Sequence, residues 1–427
     1  MLPYKMVYQS SESVKHEEPR TVAVVGAGII GLSCALHLLR RGFSVDVFDR
    51  RGPGEGATLG NAGTLAISEV LPFSRPATLK NVPRMLRDPT GPLCVRREYL
   101  ARALPWLARF VWACRPSEVR RVSEVLASLL KSSNADWRDI VRGTPAEAML
   151  LSHGRFKLYR SAEGLRRAAS DIPRQRELGV RVEEIGPAAI REMEPGLEPV
   201  FAGALYWPEV SHVTSPLRVA RILADEVRRQ GGRFHQKNVS RLRGDSREVA
   251  LEPEDGQTSR HGRVVIAAGA WSRALVRQLG EDVSLDTERG YHVMLQTPKV
   301  ALTRPVTVTD PGYSLVQMED GVRLTSGVEF AGLKAPPDFR RIRSMAKHAA
   351  TVLRGVGDVP ISEWLGFRPS MPTSVPVISP MRNHSRVILA FGHGHLGLTM
   401  GPTTGRLVAE IITGQKSAID LHALRPR

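Results

Sequence analysis

The sequence predicts a mixed α/β (α+β) fold in which a parallel sheet, assembled from distant parts of the chain, is interleaved with an antiparallel one. Three observations point to it. Residues 21–49 read as strand, glycine-rich turn, helix, strand and acid. The apolar runs VVIAAG (264–269) and RVILAF (386–391) look like further buried parallel strands. Between them, YHVMLQ, SLVQM and VRLTSG alternate as antiparallel strands do. Parallel pieces at the start, middle and end of the chain imply interleaved rather than consecutive domains.

The first element is the most telling. Val22–Val25 form a buried strand, and Gly26, Gly28 and Gly31 make G-x-G-x-x-G around Ile29 and Ile30. The first glycine permits the tight turn, the second lets a pyrophosphate approach the backbone, and the third lets the helix pack on the strand. The helix N-terminus presents free N–H groups and a positive dipole end to phosphate. Asp49, followed by Arg50, closes the second strand, where an acid accepts hydrogen bonds from a ribose. This spacing marks a Rossmann-type dinucleotide site. Residues 21–39 also read as an uncharged apolar stretch flanked by arginines, but the glycine spacing splits it into strand and helix and argues against a membrane span.

The 427 residues carry a formal charge of +17, and Arg supplies 50 of the 60 basic side chains. They are spread along the chain, as on a solvated basic surface; attraction to anionic lipid or nucleic acid is the functional alternative. Cys34, Cys94 and Cys114 have neither disulfide nor metal spacing, which fits a reducing, cytoplasmic location, with peripheral contact to the membrane as an option. Residues 1–20 are polar and lack an apolar core, so they read as a disordered lead-in.

Further along, residues 71–150 read as proline-broken helices, with helical patterns over 99–113 and 119–141. RFKLYR (155–160) and GALYW (203–207) read as strands. Residues 215–232 give a helix capped by Ser215 and stopped by Gly231 and Gly232, and a last helix is expected over 402–412. The division that follows has the dinucleotide domain at 21–70, 203–283 and 364–415, the second domain at 71–202 and 284–363, and a tail at 416–427.

Three features favour FAD over NAD. The small strand end at Ala267, Ala268, Gly269 and Ala270 allows close backbone approach. The loop GEGATLGNAGTLA (54–66), with Asn61, Ala62 and Gly63, suits wrapping of pyrophosphate and flavin. The turn Gly392, His393, Gly394, His395, Leu396, Gly397 leads into a helix whose N-terminus would stabilise a reduced, anionic flavin.

Together with RGYHVML, RLTSGVEFAG, WLGFRPSMPTSVPVIS and FGHGHLGLTMGPTTGRLVAEII, these segments make the chain resemble the FAD-dependent amine oxidoreductases. That family includes D-amino-acid oxidase, glycine and sarcosine oxidases and, most similar, bacterial D-amino-acid dehydrogenase. The resemblance spans about residues 21–415. It implies an FAD domain interleaved with a substrate domain, and oxidation of a C–N bond α to a carboxylate, with hydride passing to flavin N5 and the imino acid hydrolysing to keto acid. The substrate would be a small D-amino acid or a D-hydroxyproline-like ring, with electrons passed to a quinone or carrier protein. An oxygen-using glycine or sarcosine oxidase and a flavin subunit of a hetero-oligomer are the alternatives; no RNA-reading motif supports a nucleic-acid partner.

By the same resemblance Arg368 holds the substrate carboxylate, which a guanidinium grips bidentately. Tyr291 places a hydroxyl over the carboxylate or amine, and Arg289 assists. The backbone of the Gly394–Gly397 turn meets the flavin, with His393 and His395 as possible contacts. No general base is required if the amine binds neutral. Two departures stand out. Thr373 and Ser374 follow Pro372 where relatives carry an acid, and no cysteine lies beyond Cys114, so the FAD is expected to be non-covalent.

Overall fold

The computed structural model describes residues 20–88, 91–245 and 247–426. The lead-in expected over 1–20 therefore lies, Arg20 apart, outside the described residues. Strands Arg233–Gln236, Ser44–Asp49, Thr21–Val25, Arg263–Ile266 and Val387–Phe391 form a parallel sheet in that order, and Val377–Pro380 closes its edge antiparallel. The inner strands Thr21–Val25, Arg263–Ile266 and Val387–Phe391 are mostly apolar and buried because both faces are covered, whereas the edge strand Arg233–Gln236 is polar. The helix Ile29–Leu39 lies on one face beside Pro216–Arg229 and Gly397–Thr413. The antiparallel strands Val239–Gly244, Val249–Pro253 and Ser259–His261 help cover the other.

The C-terminal helix starts at Gly397, five residues before the expected position, with Pro402 inside it. Proline offers no N–H to the Leu398 carbonyl. That carbonyl is satisfied instead by the indole of buried Trp137, whose Nε1 donates to it at 3.0 Å. The expected helix over 119–141 is two helices, Pro116–Lys131 and Ser133–Val141, with the break at Ser132.

The second sheet has nine strands. Ser362–Ser370, Asp286–Leu295, Gly321–Phe330, Tyr313–Met318, Val306–Val308, Arg155–Tyr159, Gly203–Trp207 and Glu183–Ile185 follow in that order, and Leu93–Val95 pairs with Gly321–Phe330. Two segments expected in the dinucleotide domain, 203–207 and 364–370, are thus strands of this sheet, because each pairs with a strand of the second domain. One face is apolar: Phe156, Val293, Val306, Leu315 and Leu324 pack under the helix Arg340–Ala349. The other face looks onto the glycine turns. Among the described residues no helix is long and apolar enough to cross a membrane.

Candidate active site

A cleft of about 730 Å³ lies between the C-terminal ends of the parallel strands and the open face of the large sheet. Gly26 has φ 112°, and a Cβ there would sit 2.3 Å from the Ala267 carbonyl oxygen. The first turn and the Ala267–Gly269 strand end are therefore in backbone contact. A Cβ on Gly31 would lie 1.8 Å from the Gly26 oxygen, so the helix begins directly on the turn. A Cβ on Gly28 meets only Thr58 Oγ1, at 3.6 Å, where the cleft opens.

The expected cofactor residues line this cleft, except Gly31 and Gly63, which pack behind it. Asp49 is partly engaged with its own turn. Its Oδ2 accepts from Ala27 N–H at 2.7 Å and its Oδ1 from Arg51 N–H at 2.9 Å, leaving further lone pairs. Arg50 lies 3.8 Å over the ring of Trp271. Two supports lie in motif segments that do not single them out. Thr58 Oγ1 accepts from Ile29 N–H at 3.1 Å, leaving its own proton to donate into the pyrophosphate position. Buried Arg323, from the large sheet, donates through Nη1 to the carbonyls of Leu59 and Asn61 at 3.0 and 2.7 Å and so fixes the glycine loop. Burial pushes its guanidinium down to about 10.

At the other end Arg368 stands opposite Glu288 on the neighbouring strand. Its Nη1 donates to Gly327 O at 2.9 Å. Gly290 makes room for it: a Cβ there would fall 2.2 Å from the guanidinium carbon. A Cβ on Gly327 would meet nothing within 4 Å, so open space lies beside the guanidinium. Burial lowers Arg368 from its ordinary value, and the Glu288 carboxylate opposes that shift.

His395 Nε2 is 2.8 Å from Glu288 Oε2, and its ring lies 4.6 Å from that of Phe73. Burial raises the Glu288 carboxyl, but the His395 hydrogen bond and the charges of His395 and Arg368 outweigh it and hold the group below its ordinary value of 4.5. A carboxyl lowered in the fold contributes stability above its unfolded pKa that is lost as pH falls through the folded one. Wild-type protein should therefore lose Tm below about pH 4.5 more steeply than Glu288→Gln, as read by parallel melts from pH 6 to 3.5. Parallel curves would contradict the pairing. His393 is different: its Nε2 lies 2.9 Å from Thr404 Oγ1, and burial lowers it to about 3, so it sits neutral against the last helix.

Tyr291 and Arg289, expected at the substrate, make other contacts. Strand alternation turns their side chains to the face opposite Gly290. The Tyr291 ring joins the apolar core against Phe339, and its hydroxyl donates to Glu329 Oε2 at 2.5 Å and accepts from Asp338 N–H at 3.2 Å. Burial and Glu329 push it up to about 12. Arg289 is fully buried, with Nε 3.3 Å from Glu329 and Nη2 donating to Pro336 O. Both belong to an ionic cluster completed by Arg96, which lies 2.6 Å from Glu329, so Tyr291 borders the cleft without offering it a free hydroxyl.

The cleft fits FAD. A glycine turn at one helix N-terminus suits a pyrophosphate, the Asp49 carboxylate suits a ribose, and a second helix begins at Gly397 on the same cleft. The FAD dependent oxidoreductase family (DAO) matches residues 21–411. A D-amino-acid oxidase of Bradyrhizobium diazoefficiens is 32% identical over 96% of this chain and 99% of its own. A D-amino acid dehydrogenase of Paramagnetospirillum magneticum is 30% identical over 94% of this chain and 97% of its own. The fold is shared with glycine oxidase from Geobacillus kaustophilus, at TM-score 0.72 and 24% identity, covering 95% of this chain and 98% of that one. It is shared too with L-proline dehydrogenase from P. horikoshii, at TM-score 0.74 and 19% identity, covering 96% and 97%. The chain belongs to the DAO family of FAD-dependent oxidoreductases, and it is an FAD-dependent amino-acid oxidoreductase.

Proposed function

We propose that the protein oxidises the Cα–N bond of a small D-amino acid, or of a D-hydroxyproline-like ring, to the imine, which water converts to keto acid and ammonia unless the imine is cyclic. The observation that carries this reading is Arg368, a part-buried guanidinium with donors to spare beside a glycine-cleared space in an FAD-shaped cleft. FAD, when bound, supplies the hydride acceptor at its N5. The chain's own work is placement. The Arg368 fork fixes the carboxylate and with it the direction of the Cα–H bond, which removes much of the orientational cost of reaction. A neutral bound amine needs no base from the protein. Anaerobic bleaching of the flavin by D-alanine, and not by L-alanine, is the expected result; equal bleaching by both would contradict the stereochemistry.

For the acceptor we infer a quinone dissolved in a membrane. Between Phe73 and Arg121 the chain carries eleven basic and three acidic side chains. The helix Arg97–Ala113 buries only Ala103, Trp106 and Ala113, while Leu104, Val111 and Trp112 are 55%, 54% and 44% exposed. Phe73, 47% exposed, lines the cleft itself. Apolar side chains among arginines suit an anionic bilayer surface. The holoenzyme should sediment with phosphatidylglycerol vesicles and not with phosphatidylcholine, and Leu104→Glu with Val111→Glu should abolish this. Faster reoxidation by oxygen than by a quinone would favour an oxidase, the activity named for the Bradyrhizobium relative.

A further inference from the structure

The sheet face above the cleft carries a polar row that carboxylate binding does not use. His292, Thr325, Ser314, Thr307 and Lys157 stand directly opposite one another on five adjacent strands, so their side chains share one face. Their sequence neighbours Val293, Leu324, Leu315, Val306 and Phe156 fill the apolar core on the other side. Thr307 Oγ1 and Ser314 Oγ are 2.8 Å apart. Arg155 donates through Nη2 to Thr307 Oγ1 at 3.3 Å and pairs through Nη1 with Glu69 Oε1 at 2.6 Å, its side chain only 12% exposed. Thr325, Ser314, Thr307, Arg155 and Glu69 line the same cleft as Arg368.

Thr307 and Ser314 share one hydroxyl proton and Arg155 donates through two nitrogens, so one hydroxyl proton and further guanidinium N–H groups remain uncommitted among side chains that line the cleft. An aliphatic substrate side chain over these donors would leave them unmatched, and a site built to hydrogen-bond an oxygen discriminates strongly against analogues that lack it. We propose that Thr307, Ser314 and Arg155 form a side-chain subsite, and that the preferred substrates are amino acids whose side chain carries an oxygen, either a hydroxyl or a carboxylate. This rests on the reading that Arg368 holds the α-carboxylate, because Arg368, Thr307, Ser314 and Arg155 line one cleft.

Anaerobic flavin reduction of the holoenzyme by matched pairs tests it: D-threonine against D-valine, hydroxyproline against proline of the same α configuration, and D-aspartate against D-2-aminobutyrate. The oxygen-bearing member of at least one pair should show a rate over Kd at least about tenfold higher, the equivalent of about 1.4 kcal/mol. The first two pairs report a hydroxyl and the third a carboxylate. Arg155→Met with Thr307→Val should collapse that ratio, and the milder Ser314→Ala should lower it. FAD content and flavin spectrum show whether each variant is folded. Reduction without preference, or a preference that survives folded variants, would overturn the subsite alone. Failure of every amino acid, D-alanine included, would overturn the parent reading as well.

Discussion

Replacing Arg368 with methionine should raise the amino-acid KM by roughly 10²- to 10³-fold while FAD stays bound. Truncating one partner of a buried, hydrogen-bonded charge pair costs about 2–5 kcal/mol, and each 1.4 kcal/mol is about tenfold. Arg368 is well placed for a loss of that size, because Gly290 and Gly327 leave its guanidinium facing open space and its hydrogen bond to Gly327 O uses only Nη1. Arg368→Lys keeps a charge and loses the fork, so it should recover only part of the affinity. Steady-state KM, read together with the flavin-to-protein absorbance ratio, separates this role from cofactor loss. An unchanged KM in a flavin-loaded variant would remove Arg368 from the site.

Gly26→Ala should give an unstable protein that does not retain FAD. Its φ of 112° lies where side chains are strained, and its new Cβ would meet the Ala267 carbonyl at 2.3 Å. Gly26 and Ala267 directly follow the paired strands Thr21–Val25 and Arg263–Ile266, and Ala267 N–H donates to Val25 O at 2.8 Å, so relief requires moving backbone at the strand ends. Strain at such a position costs about 1–3 kcal/mol and overpacking a similar amount, so a combined loss near 3 kcal/mol or more is expected. Gly28→Ala is the control. Its Cβ meets only Thr58 Oγ1 at 3.6 Å, so the apoprotein should melt close to wild type while FAD affinity falls. Thermal melts of the apoproteins with FAD titration decide this; equal melting of Gly26→Ala and wild type would contradict the packing described.

The dinucleotide half was legible in the sequence because each of its parts is local. Gly26, Gly28, Gly31 and Asp49 lie within one strand–turn–helix–strand unit, and their spacing alone fixes their geometry. Arg368 was found through resemblance, and the cleft and strand register then gave it a physical setting. The engagement of Tyr291 and Arg289 with Glu329 was not legible, because a motif names residues without saying which face of a strand they take. Only the pairing of Gly290 with Gly366, and the commitment of Glu329 to Arg96, Arg289 and Tyr291, reveals it. Glu288, Arg323 and the Thr307–Ser314–Arg155 group were invisible for a related reason. Apart from Thr307 and Ser314, which are seven residues apart on neighbouring strands, their partners lie far away in sequence, and single polar residues in strands look like ordinary alternation. The start of the last helix was missed because Pro402 reads as an N-terminal signal, and the Trp137 indole that satisfies the orphaned Leu398 carbonyl is 261 residues distant.

The central claim is that Arg368 holds the carboxylate of an amino acid beside the flavin. Anaerobic reduction of the holoenzyme by D-alanine and by D-alaninamide, in wild type and in Arg368→Met, tests it most directly. The expected result is rapid bleaching of wild type by the acid, bleaching by the amide slower by roughly 10²-fold or more, and a variant that no longer distinguishes the two. Equal reduction of wild type by acid and amide, or a variant that still prefers the acid, would contradict it.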